Sequence, residues 1–130
     1  MTPREIIERY VELLNSGRFD EVGELWAADG VLFNGFGQVL EGKPAVKAFY
    51  AAFKDEIFPQ VRIVSFMEDN ATNVCAVELE TRIVHDEDGN LKTDPEPFSP
   101  ASLDLFIVNA DGKVQKMIAY IAPPNKWFTP

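Results

Sequence analysis

Apolar residues recur every three or four positions as far as Phe53, and at every second position from Val61 onward. The first spacing lays one apolar stripe along a helix; the second gives a strand one apolar face. Helices followed by antiparallel strands make an α+β domain, with the helices packed on one face of a curved sheet. A helix layer across such a sheet leaves a conical cavity, where apolar ligand pockets commonly form.

Thr2-Pro3-Arg4-Glu5 can form a capping box at the start of the first helix. Ile6, Ile7, Tyr10, Val11, Leu13 and Leu14 form its stripe, and Asn15-Ser16-Gly17 end it. Asp20 is placed to cap a short second helix bearing Val22, Leu25 and Trp26, closed by Asp29-Gly30. Short strands are expected at Val31–Phe33 and Val39–Leu40, around an Asn34-Gly35 pair that signals a tight hairpin turn. Gly42-Lys43-Pro44 opens a third helix, with Val46, Phe49, Tyr50 and Phe53 on one face. VRIVSFME, NVCAVELETRIV, ASLDLFIVN and VQKMIAYIA then read as longer strands. The connection HDEDGNLKTDPEPFSP is polar and proline-rich. The chain of 130 residues is one domain, 1–130, long enough to bury a core.

A net charge of −9 repels phosphate backbones and anionic lipid, so neither nucleic acid nor a membrane is expected as partner. The single cysteine, Cys75, excludes an intramolecular disulfide and fits a reducing, cytoplasmic location. The N-terminus shows no basic stretch followed by an apolar one, so no signal peptide is expected. No phosphate-binding glycine loop, nucleophile elbow or zinc-type cysteine pairing is present, and neither a metal nor a cofactor is expected. His85 stands beside Asp86, Glu87 and Asp88, which read as a solvated loop tip.

Two polar residues fall on apolar faces. Tyr10 shares its stripe with Ile6, Leu13 and Leu14, so its hydroxyl needs a partner inside. Asp104 shares a strand face with Ser102, Phe106 and Val108, and the opposite face is also apolar. Burial raises a carboxyl pKa and favours the neutral acid, a hydrogen-bond donor. A tyrosine and a neutral acid facing one cavity can make an oxyanion hole. On pattern alone, Tyr10 also reads as a core aromatic bonded to backbone or water. Asp104 reads equally as a sheet-edge carboxylate paired with a base.

The segment ERYVELLNSGRFDEVGELWAADGVLFNGFG, followed by EGKPAVKAFY, resembles the N-terminal half of the bacterial Δ5-3-ketosteroid isomerases, and DLFIVNADGKVQKM resembles their C-terminal half. That family lies within the superfamily of nuclear transport factor 2 (NTF2) and the SnoaL polyketide cyclases. The resemblance runs from about Arg4 to about Ile121 and breaks in the loop after Ile83. It implies a cone-shaped NTF2-like (cystatin-like) fold: three N-terminal helices on a curved mixed, mostly antiparallel sheet enclosing a pocket. It implies a protein acting on or binding a hydrophobic, polycyclic ketone, steroid or polyketide-like, and a homodimer joined through the outer sheet face.

By the same resemblance Tyr10 and Asp104 match the family's oxyanion donors, the acid serving there in its protonated form. The general base falls on Asn34. A neutral amide accepts no proton at useful pH, and general-base help is worth about 10²–10⁴ in rate. Phe33, Phe49, Phe53, Phe106 and Met117 are expected to contact the substrate. Glu78 and Glu80 are expected on the outer face, while Glu41, Asp94 and Glu96 sit in loops that can border the pocket mouth. A non-catalytic binding protein on the same scaffold is the alternative, as is a SnoaL-like cyclase or epoxide hydrolase. The hydrolases of this superfamily are built on carboxylates paired with arginine; Arg62 and Arg82 sit on strands.

Overall fold

The chain is seen in a computed structural model that describes residues 1–122. Helix α1 spans Pro3–Asn15. Its capping box is formed: the Glu5 N–H donates to the Thr2 hydroxyl at 3.2 Å and the Thr2 N–H donates to the Glu5 carboxylate at 3.0 Å. The stripe from Ile6 to Leu14 is buried. At the end of α1 the Asn15 side chain behaves like a short piece of strand. It donates to the Val61 carbonyl and accepts from the Val61 N–H, both at 2.8 Å. This clamp ties α1 to the first long strand and sets the direction from which Tyr10 enters the core.

Helix α2 is short, Phe19–Val22, and continues through one 3-10 turn to Leu25. Here the structure departs from the sequence reading. Arg18, not Asp20, precedes the helix, and Trp26 opens strand β1 (Trp26–Phe33) rather than closing a helix. Asp29-Gly30 lie inside that strand. The spacing of Val22, Leu25 and Trp26 is a local cue, overridden by parallel pairing of β1 with the distant β6 (Val114–Ile121). Gly30 is required in that pairing, because a Cβ there would lie 2.7 Å from the Val114 carbonyl.

Strand β2 (Val39–Glu41) returns antiparallel to β1 and leads into α3 (Lys43–Ala51). Three further strands are β3 (Gln60–Asp69), β4 (Val74–Arg82) and β5 (Ser99–Val108). The sheet order is β2-β1-β6-β5-β4-β3, antiparallel throughout except at β1/β6, and the sheet does not close on itself. The helices cover its inner face, to which Cys75, Val77, Phe106, Val114 and Met117 turn and are buried. Glu78 and Glu80 lie on the outer face: the Ser65 hydroxyl donates to Glu78 at 3.0 Å and the Arg62 Nε to Glu80 at 2.9 Å. Among the described residues no helix is long and apolar enough to cross a membrane, and no group of acidic, histidine or cysteine side chains is arranged to hold a metal ion.

Candidate functional site

Helices and sheet enclose a cavity of about 160 Å³. Tyr10 reaches it from α1, Tyr50 from α3, Asn34 from the end of β1, Asp104 from β5 and Met117 from β6. Phe49 and Phe53 complete the apolar wall beside Leu32, Val61 and Leu79. Gly35, Phe36 and Ile121 mark the open end, where the Phe36 ring is 74% exposed. Two expected contacts do not reach the cavity. Phe33 alternates with Leu32 and Asn34, so it turns to the outer face, where Lys116 lies 5.0 Å above its ring. Phe106 is fully buried beneath Tyr10, ring centroids 5.5 Å apart, and supports that ring instead of lining the space.

Tyr10 is held in an aromatic cluster, edge-on to both Phe106 and Tyr50. Its hydroxyl lies 2.8 Å from that of Tyr50, which also approaches the Met117 sulfur at 3.8 Å. Burial, followed by the neighbouring Tyr50 and Asp104, holds the Tyr10 phenol far above its ordinary pKa. Burial likewise raises Tyr50. Both stay protonated donors. Tyr50 was not singled out in the sequence, although the cue that found Tyr10, a hydroxyl on an apolar helical stripe, is present there too.

Asp104 is 3% exposed, and its Oδ1 has no hydrogen-bond partner among the described residues. A buried carboxyl oxygen of this kind carries a desolvation cost of about 1–3 kcal/mol or more unless a ligand or water meets it. Burial pushes the Asp104 pKa up to about 7, Ser102 pulling weakly the other way. Near neutral pH the group therefore exists as both acid and carboxylate. It is the sole carboxylate lining the cavity among the described residues, and no arginine, lysine or histidine lines it. Glu41, Asp94 and Glu96 are exposed and lie elsewhere.

Asn34 is buried and faces the cavity, but its polar atoms serve the turn. Its Oδ1 accepts from the Phe36 N–H at 3.0 Å and the Gln38 N–H at 3.1 Å, and its Nδ2 donates to Gln38 Oε1 at 2.9 Å. Its own N–H donates to the Gln38 carbonyl at 3.1 Å. The same loop occurs twice more. The side chains of Asp86 and Asn109 each accept from the N–H groups two and four residues on. In all three loops the fourth residue is a glycine with positive φ: Gly37, Gly89 and Gly112. Asn34-Gly35 is thus not a two-residue turn; the loop runs to Gln38, and the left-handed residue is Gly37. Since Asp86 fills the equivalent place in its loop, a carboxylate can accept the same two backbone N–H groups, without the bond from Asn34 Nδ2 to Gln38.

The family of SnoaL-like domains matches residues 7–117 of the chain. Among solved structures the chain is similar to SalBIII, described as an epoxide hydrolase/cyclase-like enzyme in pyran ring formation in the polyether salinomycin. The TM-score is 0.70 at 17% identity, covering 92% of this chain and 90% of that one. No curated protein matches.

Proposed function

The chain belongs to the SnoaL-like domain family of the NTF2-like superfamily, and we propose that its cone binds an apolar, ring-bearing ketone or phenol as a ketosteroid isomerase does. The observation that carries this reading is the buried Asp104 oxygen with no partner. A ligand oxygen beside it accepts from the protonated acid and from Tyr10, whose hydroxyl lies 2.8 Å from that of Tyr50, either of the two being able to donate to the other. As negative charge grows on the ligand oxygen, in an enolate or a phenolate, both bonds shorten and strengthen. The cavity of about 160 Å³ suits one ring, since about 150 Å³ holds a benzene. Further rings of a polycyclic ketone extend past Phe36 and Ile121.

Proton shuttling is the weak part of this site. Asn34 supplies no base, and the one carboxyl that lines the cavity among the described residues, Asp104, is taken up as the donor in this reading. We therefore read the protein as a binder of enolate-like oxygen with slow or no isomerisation. Titration with a phenolic steroid and with a one-ring phenol tests it: Tyr10→Phe should weaken both by about tenfold, and unchanged affinity would sink the reading. Asn34→Asp, which the loop accommodates, should raise turnover of a Δ5-3-ketosteroid by about 10² or more. No gain in a folded variant counts against an isomerase-type site.

The fold shared with SalBIII keeps acid-assisted epoxide opening as a second reading, Tyr10 and Asp104 donating to the epoxide oxygen. Faster consumption of a hydroxy-epoxide by wild type than by Asp104→Asn would favour it. We also infer a homodimer through the outer sheet face, supported by the exposed Leu103 and Tyr120, paired across β5 and β6, and by Met67, exposed on β3.

A further inference from the structure

We propose that the chain carries a second ligand site, outside the cone, for a small amphiphilic carboxylate. The site is a concavity of about 650 Å³, within the roughly 300–1,000 Å³ typical of small-molecule pockets. It lies between the end of α1, the Glu56–Gln60 segment and the loop that follows β4. That loop, after Ile83, is the stretch in which the resemblance to ketosteroid isomerases breaks.

Three basic side chains line it, Arg82, His85 and Lys92, all half-buried, against one carboxylate, the exposed Glu56. In a chain of net charge −9 such a cluster is unusual, and its arginine is uncommitted. The contrast with Arg62 makes this plain. Both guanidiniums stack on the Phe98 ring, at 4.1 Å for Arg62 and 4.5 Å for Arg82. Arg62 is neutralised by Glu80, to which its Nε and Nη2 both donate. Arg82 has no acidic partner among the described residues; only its Nε is engaged, donating to Gln60 Oε1 at 2.7 Å. Phe98 and Gln60 therefore hold the guanidinium plane while the terminal amino groups remain open to an anion. A planar fork held in this way is suited to two parallel bonds with a carboxylate.

Backbone pairing presents the other two bases. His85 bridges Leu91, and the Lys92 N–H donates to the Val84 carbonyl at 2.8 Å, around the loop anchored by Asp86. The remaining wall is apolar. Leu91 is 75% exposed and Ile57 is also exposed, at the mouth, and Phe19 and Phe58 lie deeper. Cations beside exposed apolar side chains select a ligand with a carboxylate head and a short hydrocarbon body. This site does not depend on the reading of the cone.

Octanoate is the probe, with octanol as its neutral counterpart, followed by calorimetry and by amide chemical shifts. Saturable octanoate binding should shift resonances of residues 82–92 and leave those of Tyr10, Tyr50 and Asp104 unmoved, with octanol failing to compete. Arg82→Gln should weaken octanoate roughly tenfold or more and Lys92→Gln severalfold. Leu91→Asp, an exposed substitution that spares the fold, should also abolish binding. No saturation by about 10 mM, shifts confined to the cone, or unchanged affinity in Lys92→Gln and Leu91→Asp would each overturn the proposal.

Discussion

Asp104 gives the residue scale its sharpest consequence. The unfolded chain releases this proton near its ordinary value of 3.8, whereas the native state holds it up to about pH 7. Between those values the native state binds more protons, so stability falls as pH rises, by up to about 4 kcal/mol across the interval. Asp104→Asn removes the titration and keeps the shape. Denaturation midpoints should therefore converge for the two proteins near pH 4 and favour the variant above pH 7; parallel profiles would show that Asp104 is not buried as described. The same proton governs the proposed ligand bond. Affinity for a neutral ketone should drop as pH passes about 7, because the ionised carboxylate no longer donates. Asp104 was legible in the sequence as an acid between two apolar strand faces. Its missing partner was not, since pairing depends on what other elements bring near it.

At the scale of elements, the β1–β2 hairpin shows how one side chain can serve two ends. Asn34 closes its loop through two backbone N–H groups and at the same time forms part of the cavity wall. Asn34→Ala leaves both donors without that acceptor and should destabilise the fold by about 1–3 kcal/mol. Asn34→Asp keeps that acceptor, as the carboxylate of Asp86 does in its own loop, and should cost less than Asn34→Ala. Chemical denaturation of the two variants side by side checks this, and equal losses would contradict the turn role. Element identity was largely readable from the sequence: the capping box, the α1 stripe and the alternation of the later strands all take the form expected. Trp26 escaped it because the pairing that makes it a strand residue comes from β6, far along the chain.

For the whole molecule, the proposed homodimer has a direct test. Leu103 pairs with Tyr120 across β5 and β6 on the outer face, with Met67 exposed on β3. Leu103→Lys should shift the sedimentation mass from dimer to monomer while the circular dichroism is unchanged; a wild-type monomer at all accessible concentrations would dispose of the dimer. Periodicity reports which face of an element is buried, and so the α+β class, the apolar layer between helices and sheet, and the place of Tyr10 within it were readable from the chain alone, while Asp104 was left between the core and a sheet-edge ion pair. That Phe33 points away from the cavity and that Tyr50 joins Tyr10 came from the packing of the folded chain. It also extended the turn at Asn34 as far as Gln38 and, among the described residues, left Arg82 without an acid beside His85 and Lys92. Each of these is a matter of partners, and the partners come from segments distant in the chain that no local period records.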